Sequence, residues 1–303
     1  MAVPVTITVV DDVGADRPAV EALDRRATTA DGRSPLNEAA QLHLRHPRPG
    51  IRHLLARRSS EQSPDARRDI VGYAQLESGD AADTAQLVVD PDHRRQGIGR
   101  ALLDALIAAS PRPVQLWAMG DTAAAAALAE AAGLRRVRGL AVMLRPLTAE
   151  VPVRPLPDGV TLRTFIPGHD EDAWLALNAR AFASHPEQGR ITRSDLDERM
   201  AEDWFDPAGF LLAERDGRLI GFHWTKRHPD RLGEVYVLGV DPDAGGGGIG
   251  ATLLFAGLRH LQEQGDTAVQ LYVESDHTVA LRLYTAAGFV EDHRDVLYGT
   301  GGR

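Results

Sequence analysis

Cysteine is absent from all 303 residues, so disulfides and thiolate metal sites are excluded and a reducing cytosol is the expected setting. Long apolar runs are missing too: nothing approaches the ~18 uninterrupted apolar residues that a membrane span needs. The apolar N-terminal stretch has no basic region ahead of it and runs into Asp11 and Asp12, which reads as a first strand and not as a signal peptide. Basic charge is in deficit, with 34 Lys and Arg against 43 Asp and Glu. The resulting net charge of −9 argues against a nucleic-acid surface, yet leaves room for a small anionic ligand that needs only a local site. The histidines show no metal-ligand spacing, and no metal is expected. What is present, 43% apolar and 25% charged residues, is ordinary for a globular protein. The length suits two domains of roughly 100–150 residues.

Two short segments organise the rest. Glu234 to Val240 is a β-branched and aromatic run that reads as a strand. Asp241-Pro242 ends it, because proline cannot continue a ladder and restricts the residue before it. Glycines 245–248 follow, and apolar residues restart at helical spacing from Ile249 to Leu261. Strand, glycine turn and helix together direct backbone N–H groups and a helix N-terminus at an anion. The same design occurs from Leu87 to Gly99. Asp90, Gly97 and Gly99 match Asp241, Gly248 and Gly250 at a constant offset (241 − 90, 248 − 97, 250 − 99) of 151, so the chain is an internal duplication.

In the first half, the spacing predicts strands at 3–10, His53–Ala56, Ile70–Leu76, Val114–Trp117 and Leu140–Leu144. Helices are expected from Asp16 to Thr29, with Ala19, Leu23 and Ala27 inward, and after Ser34 as N-cap with Pro35 in the first turn. Ile98–Ala109 is expected to bury Leu102, Leu103, Leu106 and Ile107, and Thr122–Ala132 to stop at Gly133. The charged stretch from Arg57 to Asp69 reads as an exposed loop. The second half repeats the order: a strand at Val160–Phe165, a helix at Asp172–Phe182, and a helix at Thr192–Trp204 capped by Thr192 or Ser194. A hairpin follows over Phe210–Trp224 about Asp216-Gly217. After the second glycine turn the helix runs to Gln264, followed by a strand at Ala268–Val273, a helix at His277–Ala287 and a strand at Val296–Tyr298. Pro146, Pro152, Pro155 and Pro157 mark a semi-rigid linker at 147–158, which separates expected domains 1–146 and 159–303.

Each half therefore reads β-α-α-β-β-β-α-β-α-β. That order, with Arg94-Arg95-Gln96-Gly97-Ile98-Gly99 after the fourth strand, resembles the GNAT family of acetyl-CoA-dependent N-acetyltransferases. The second half keeps Gly248-Ile249-Gly250, with Gly245 where the motif has Arg or Gln, and carries the family's later pattern of Ala280, Tyr284, Gly288 and Phe289. The resemblance implies an α/β (α+β) fold of two tandem GNAT domains, each a mixed, mostly antiparallel sheet flanked by helices, with acetyl-CoA as co-substrate. Gly233 to Pro242 and Leu271 to Asp276 are similar to a tandem branch of that family from actinobacteria. That branch acetylates the cysteinyl amine of a cysteine–glucosamine–inositol precursor, which implies small-molecule substrates and a cytoplasmic monomer.

Acetyl transfer to an amine needs a held pyrophosphate, a polarised thioester carbonyl, a deprotonated amine and a proton for the leaving thiolate. The resemblance gives the pyrophosphate to Arg95, Gln96, Gly97, Ile98, Gly99 and Arg100 in the first copy, with charge from His93 and Arg94. In the second copy it falls to Gly245, Gly246, Gly247, Gly248, Ile249, Gly250 and Ala251, a loop expected to order on cofactor binding. Strand residues Leu87, Val88, Val89 and Leu238, Gly239, Val240 would line the acyl and pantetheine arm, with Leu238 N–H on the carbonyl. His277, where the family more often has Asn, and Arg282 complete the cofactor set. Glu234 is the expected base and Tyr284 the acid; the first copy has Ala129 opposite Tyr284 and is expected to lack chemistry. Glu38, Glu187, Lys226, Glu234 and Tyr272 form the expected acceptor set.

Two other readings stay open: a GNAT enzyme for another amine (an aminoglycoside, a peptide N-terminus or a polyamine) and a non-catalytic acyl-CoA sensor.

Overall fold

The computed structural model describes residues 5–58, 70–183, 185, 188–244 and 247–300. They form two compact units, one made of the chain up to Leu140 together with the segment from His293, the other of Ala141 to Asp292.

In unit 1, β1 (Val5–Val10), β2 (Ile51–Arg58), β3 (Ile70–Glu77) and β4 (Asp83–Val89) pair antiparallel in that order, and β4 pairs in parallel with β5 (Val114–Ala118). Helices α1 (Arg17–Asp31) and α2 (Glu38–Arg45) precede β2, α3 (Ile98–Ala109) joins β4 to β5, and α4 (Ala123–Ala131) leads to β6 (Arg135–Pro146). Strand alternation sends neighbours to opposite faces. Leu55 and Tyr73 therefore pack with Val20, Leu23 and Ala27 of α1, while Leu54 and Ala74 pack with Leu102, Leu103 and Leu106 of α3.

Unit 2 repeats the plan with β7 (Val160–Thr164), α5 (Glu171–Ala181), α6 (Arg193–Met200), β8 (Phe210–Arg215), β9 (Arg218–His228) and β10 (Leu232–Val240). Then come α7 (Ile249–Glu263), β11 (Ala268–Glu274) and α8 (Thr278–Ala286), and the chain ends in β12 (Val290–Gly299), which from His293 belongs to unit 1. Strands β7 to β10 are antiparallel and β10–β11 is parallel, as expected for a mixed, mostly antiparallel sheet. All seven phenylalanines lie in unit 2. Phe165, Phe210 and Trp224 stack with ring centroids 4.4 and 4.5 Å apart, and Trp174 of α5 meets Phe210, Phe222 and Trp224 edge-on at 5.4 to 5.7 Å. Burying each such ring contributes roughly 1.5–3 kcal/mol, so this aromatic layer fixes the sheet face on which Glu234 lies.

The expected division at 146 and 159 is corrected by the ladders. Val296, Leu297 and Tyr298 pair with Ala118, Trp117 and Leu116 of β5 and enter the core of unit 1, whereas Ala141 and Met143 of β6 enter that of unit 2. Because the halves are copies, the edges of β5 and β11 can each accept either last strand, and sequence order does not choose between them. The proline-rich 147–158 stretch is no free connector. Leu147 and Val151 are buried in the unit 2 core, and Gln262 of α7 donates to the Leu147 and Ala149 carbonyls and accepts from Val151 N–H.

Smaller corrections follow from local chemistry. Asn37, not Ser34, caps α2, its side chain accepting from Ala40 N–H, while the Ser34 hydroxyl donates to Asp24. Val20 replaces Ala19 on the buried stripe of α1, and Ile107 of α3 is 45% exposed. Thr192 caps α6 in a capping box with Asp195, and that helix ends at Met200 instead of Trp204. The loop expected over 57–69 falls outside the described residues except for Arg57 and Arg58, which belong to β2.

Glycine lets helices close on the sheet. A Cβ on Gly72 of β3 would fall 2.9 Å from Leu102, and one on Gly221 of β9 2.8 Å from Leu253. Beneath α7, the fully buried His223 donates from Nδ1 to the Leu253 carbonyl at 2.8 Å, and burial pushes its pKa down to about 4. His53, 2.7 Å from the Tyr73 hydroxyl, is likewise pushed by burial to about 4.

Two outcomes are expected. In a helix interior Gly→Ala normally gains about 1 kcal/mol. At Gly257 the new Cβ would stand 2.2 Å from the His223 ring, so Gly257→Ala should instead lose about 1–3 kcal/mol, read as a lower urea midpoint. The second concerns pH. His223 is neutral when folded down to about 4, whereas its unfolded value is 6.5. The unfolded chain therefore binds the extra proton in that window, and stability is complete above it and falls as pH drops. A loss of about 2 kcal/mol is expected between about pH 7 and about pH 5; equal urea midpoints at both would contradict the buried neutral histidine.

Candidate active site

In unit 2 the parallel ladder of β10 with β11 runs only from Leu232↔Ala268 to Val235↔Leu271, although β10 stays paired with β9 as far as Val240↔Gly221. The edge of Leu238, Gly239 and Val240 toward β11 therefore has no strand partner. Pairing with β9 jumps from Val235↔Thr225 to Val237↔Trp224, which makes Tyr236 an extra, bulged residue. A bulge bends the strand and increases its twist, so it turns β10 where the two strands part. In unit 1 the β4–β5 ladder also stops early, at Ala85↔Leu116, but β3–β4 pairing is continuous and there is no bulge.

Each parted strand ends in the same anchored turn. Asp90 accepts from Asp92 N–H and from Arg26 of α1; Asp241 accepts from Asp243 N–H, Arg180 of α5 and Arg218 of β9. Burial works against both charges, but these donors hold the two carboxyls below their ordinary range. Gly97 and Gly248 then cap α3 and α7 at φ 86 and 80, a left-handed conformation that favours glycine. Cβ atoms on Gly99 and Gly250 would lie 3.5 Å from Leu128 and 3.9 Å from Leu283, so the following helix closes over the turn in both copies. Gly245 and Gly246 lie outside the described residues; Ile249 is buried at the start of α7 and Ala251 is half-buried beside it.

Unit 1 holds a cleft of about 620 Å³ at this place, lined by Leu87, Val88 and Val89, by Arg95, Gly97, Ile98, Gly99 and Arg100, and by Trp117 and Leu128. Several of its charged side chains have carboxylate partners. Arg94 makes a two-pronged pair with Asp31, Arg100 pairs with Asp104, and His93 faces Asp90 at 3.5 Å. Arg95, at φ 63, has no side-chain partner among the described residues, and Gln96 turns a buried, unpartnered Oε1 inward.

The sheet face of unit 2 gathers the expected acid–base residues. Glu234 lies opposite Lys226 of β9 and beside Gln270 of β11. His228 Nε2 is 2.6 Å and Gln270 Nε2 2.9 Å from Glu234 Oε2. Burial raises the Glu234 pKa, but His228, then Lys226 and Gln270, outweigh it and hold the carboxyl below its usual value. Lys226 is the only lysine in the chain. Its Nζ stands 4.4 Å from the Trp204 ring and 5.3 Å from that of Tyr236, whose hydroxyl accepts from Arg199. Tyr284 of α8 is buried in one cluster with Val235, Leu271 and Phe289, against which Leu238 also packs. Burial pushes its pKa up to about 12, and its hydroxyl has no partner among the described residues.

Of the remaining expected residues, Tyr272 on β11 is 46% exposed and Arg282 on α8 is exposed. His277 caps α8, its Nδ1 accepting from Ala280 N–H at 3.3 Å, the role an Asn would fill there. Glu38 opens α2 in unit 1, behind the Asn37 cap. Glu187 lies outside the described residues; His185, two positions earlier in the sequence, reaches Glu274 of β11 at 3.6 Å.

Residues 174–289 match the Acetyltransferase (GNAT) family and residues 54–133 the Acetyltransferase (GNAT) domain. A mycothiol acetyltransferase of Streptomyces coelicolor is 51% identical over 287 residues, covering 93% of this chain and 91% of that protein. Another, from Thermomonospora curvata, is 52% identical over 282 residues, with 92% of each chain covered. The chain belongs to the mycothiol acetyltransferase family. It is thus an acetyl-CoA-dependent N-acetyltransferase of tandem GNAT architecture. Solved structures agree on the fold. A tandem GNAT protein from the clavulanic acid biosynthesis pathway superposes with TM-score 0.74 at 20% identity, covering 99% of this chain and 100% of that one. A GCN5-related N-acetyltransferase from Sphaerobacter thermophilus gives 0.69 at 26% identity, covering 97% and 95%. Among the described residues no helix is long and apolar enough to cross a membrane.

Sequence reasoning missed His228, Gln270 and the bulge at Tyr236. His228 carried a usable sign, since it lies two residues beyond Lys226 on one strand and so shares its face. Gln270 carried none, because its position beside Glu234 depends on the parallel register.

Proposed function

We propose that unit 2 transfers the acetyl group of acetyl-CoA to the cysteinyl amine of the cysteine–glucosamine–inositol precursor, the last step of mycothiol formation. The observation that carries this is a buried Glu234 on the strand that parts from its neighbour, its carboxyl held below its usual range by His228 and Lys226, with the buried Tyr284 on α8. About 50% identity to mycothiol acetyltransferases supports the acceptor.

Glu234 takes a proton from the ammonium of the acceptor, directly or through water, and so frees the nitrogen lone pair for attack on the thioester carbon. The unpaired edge near Leu238 offers a backbone N–H to the oxygen that becomes negative, and that donor is already fixed before reaction. As the C–S bond breaks, Tyr284 gives its proton to the thiolate and regains one from the nitrogen, so a single net proton leaves. With its pKa pushed to about 12, Tyr284 is protonated at any working pH. Lys226, Glu234 and Tyr272 of unit 2 supply polar groups for a hydroxyl-rich acceptor, a set to which the family resemblance adds Glu187. The glycine turn at 245–251 binds the pyrophosphate; His277 and Arg282 flank the pantetheine.

Unit 1 would bind acetyl-CoA without chemistry. Its cleft has cofactor dimensions, but Ala129 stands where Tyr284 does, and Thr84, the residue paired with Gln115, stands where Glu234 pairs with Gln270.

Release of free CoA with acetyl-CoA and the precursor tests the assignment. Glu234→Gln and Tyr284→Phe should each lower kcat by tenfold or more, within the roughly 10²–10⁴ typical of acid–base groups. Turnover with another amine only would remove the acceptor and keep the mechanism. Tight acetyl-CoA binding without turnover on any amine would favour a sensor. For unit 1, Gly97→Val should weaken acetyl-CoA binding at one of two calorimetric sites while kcat stays within about twofold, and a single site in the unchanged protein would contradict it.

A further inference from the structure

We infer that His228 and Gln270 are positioning residues that bind the same oxygen of Glu234, Oε2, and so reserve Oε1 as the atom that takes the amine proton. The inference rests on Glu234 being the base.

The sheet register produces the arrangement. Lys226 pairs directly with Glu234, and His228, two residues along β9, sits diagonally across on the same face. From the other side Gln270 lies beside Glu234 in the parallel ladder. At 2.6 and 2.9 Å both donors meet Oε2, and Oε1 has no partner among the described residues. A carboxylate oxygen with two donors has its lone pairs committed, so the open oxygen is the one that can accept a proton.

The turn that aims His228 is strained. Asp230 and Arg231 are consecutive non-glycine residues at φ 62 and 60. They are held there by Arg231 Nε donating to the Gly265 carbonyl at 2.7 Å and by Thr267 N–H donating to the Arg231 carbonyl at 2.8 Å. Strain kept by surrounding bonds is found where a side chain must be aimed. The copy in unit 1 gives an independent sign. There the equivalent ladder pair is Thr84↔Gln115, with no carboxylate to hold, and the same fold forms. The clamp therefore accompanies the chemistry, not the architecture.

Its donors also bear on the charge. The charged groups acting on Glu234 are His228 and Lys226, both on β9, while β11 contributes the neutral Gln270. Burial pushes the carboxyl up and the His228 hydrogen bond is the largest opposing influence. Loss of that bond raises the pH at which the base becomes protonated.

The test is the pH profile of kcat with acetyl-CoA and the precursor for His228→Leu, His228→Gln, Gln270→Leu and Glu234→Gln. His228→Leu should lower kcat at neutral pH by about tenfold, leave KM for acetyl-CoA within about twofold, and move the acid limb up by about one pH unit. His228→Gln keeps an N–H donor and should recover most of kcat. Gln270→Leu should move the limb the same way by less, and decides the matter if His228→Leu does not fold, which thermal melts will show. An unmoved limb in all the folded variants, with His228→Gln as impaired as His228→Leu, would overturn the inference and leave His228 a structural residue. If Glu234→Gln itself keeps full turnover, the base assignment fails instead, and the two failures are distinguishable.

Discussion

Parallel strands β10 and β11 hold together for four residue pairs, and the release of β10 after Val235 sets the surroundings of both Glu234 and Leu238. Upstream of the release, the shared ladder brings Gln270 beside Glu234. Downstream, the same strand shows an unpaired edge at Leu238 to Val240. A continuous ladder would satisfy that edge, and a strand released earlier would lose the Gln270 contact. The bulge at Tyr236 lies at the changeover, and it turns an aromatic ring toward Trp204 and Lys226.

The strand must also be held at its far end, and that task is duplicated. Asp90 and Asp241 each accept from the turn that follows and from an arginine of the first helix in their unit. Both carboxylates are almost wholly buried, so removing either partner leaves an uncompensated charge or open donors. The glycine turns after them use the same left-handed N-cap and the same leucine from the next helix. The turn geometry is thus the same in both copies, while the carboxylate and the phenol occur in one. The two features separate because the turn is set by backbone and glycine, whereas the carboxylate and the phenol are single side chains.

Electrostatics on the sheet face follow from burial more than from net charge. A carboxylate as enclosed as Glu234 would ordinarily be protonated more readily. His228, Lys226 and Gln270 reverse that tendency, and the single lysine in a chain otherwise served by arginine is opposite the one buried glutamate of β10. Tyr284 shows the opposite case: with no charged partner, burial alone keeps its proton in place.

The element order, the duplication and the glycine turns were legible in the amino-acid sequence, because hydrophobic period, Asp-Pro stops and Gly caps are local constraints that act within a few residues. Glu234, Lys226 and Tyr284 were singled out there as candidates, through pattern and family resemblance, and Glu234 and Lys226 are ladder partners in the fold. The positions that failed were those fixed by distant partners. Asn37 displaced Ser34 as cap because Asp24 takes the Ser34 hydroxyl. The choice of which last strand pairs with β5, the bulge at Tyr236 and the meeting of His228 with Gln270 on one oxygen were decided only in the folded protein. Each depends on register between strands far apart in the chain, and two copies of one motif offer equivalent edges that local sequence cannot tell apart.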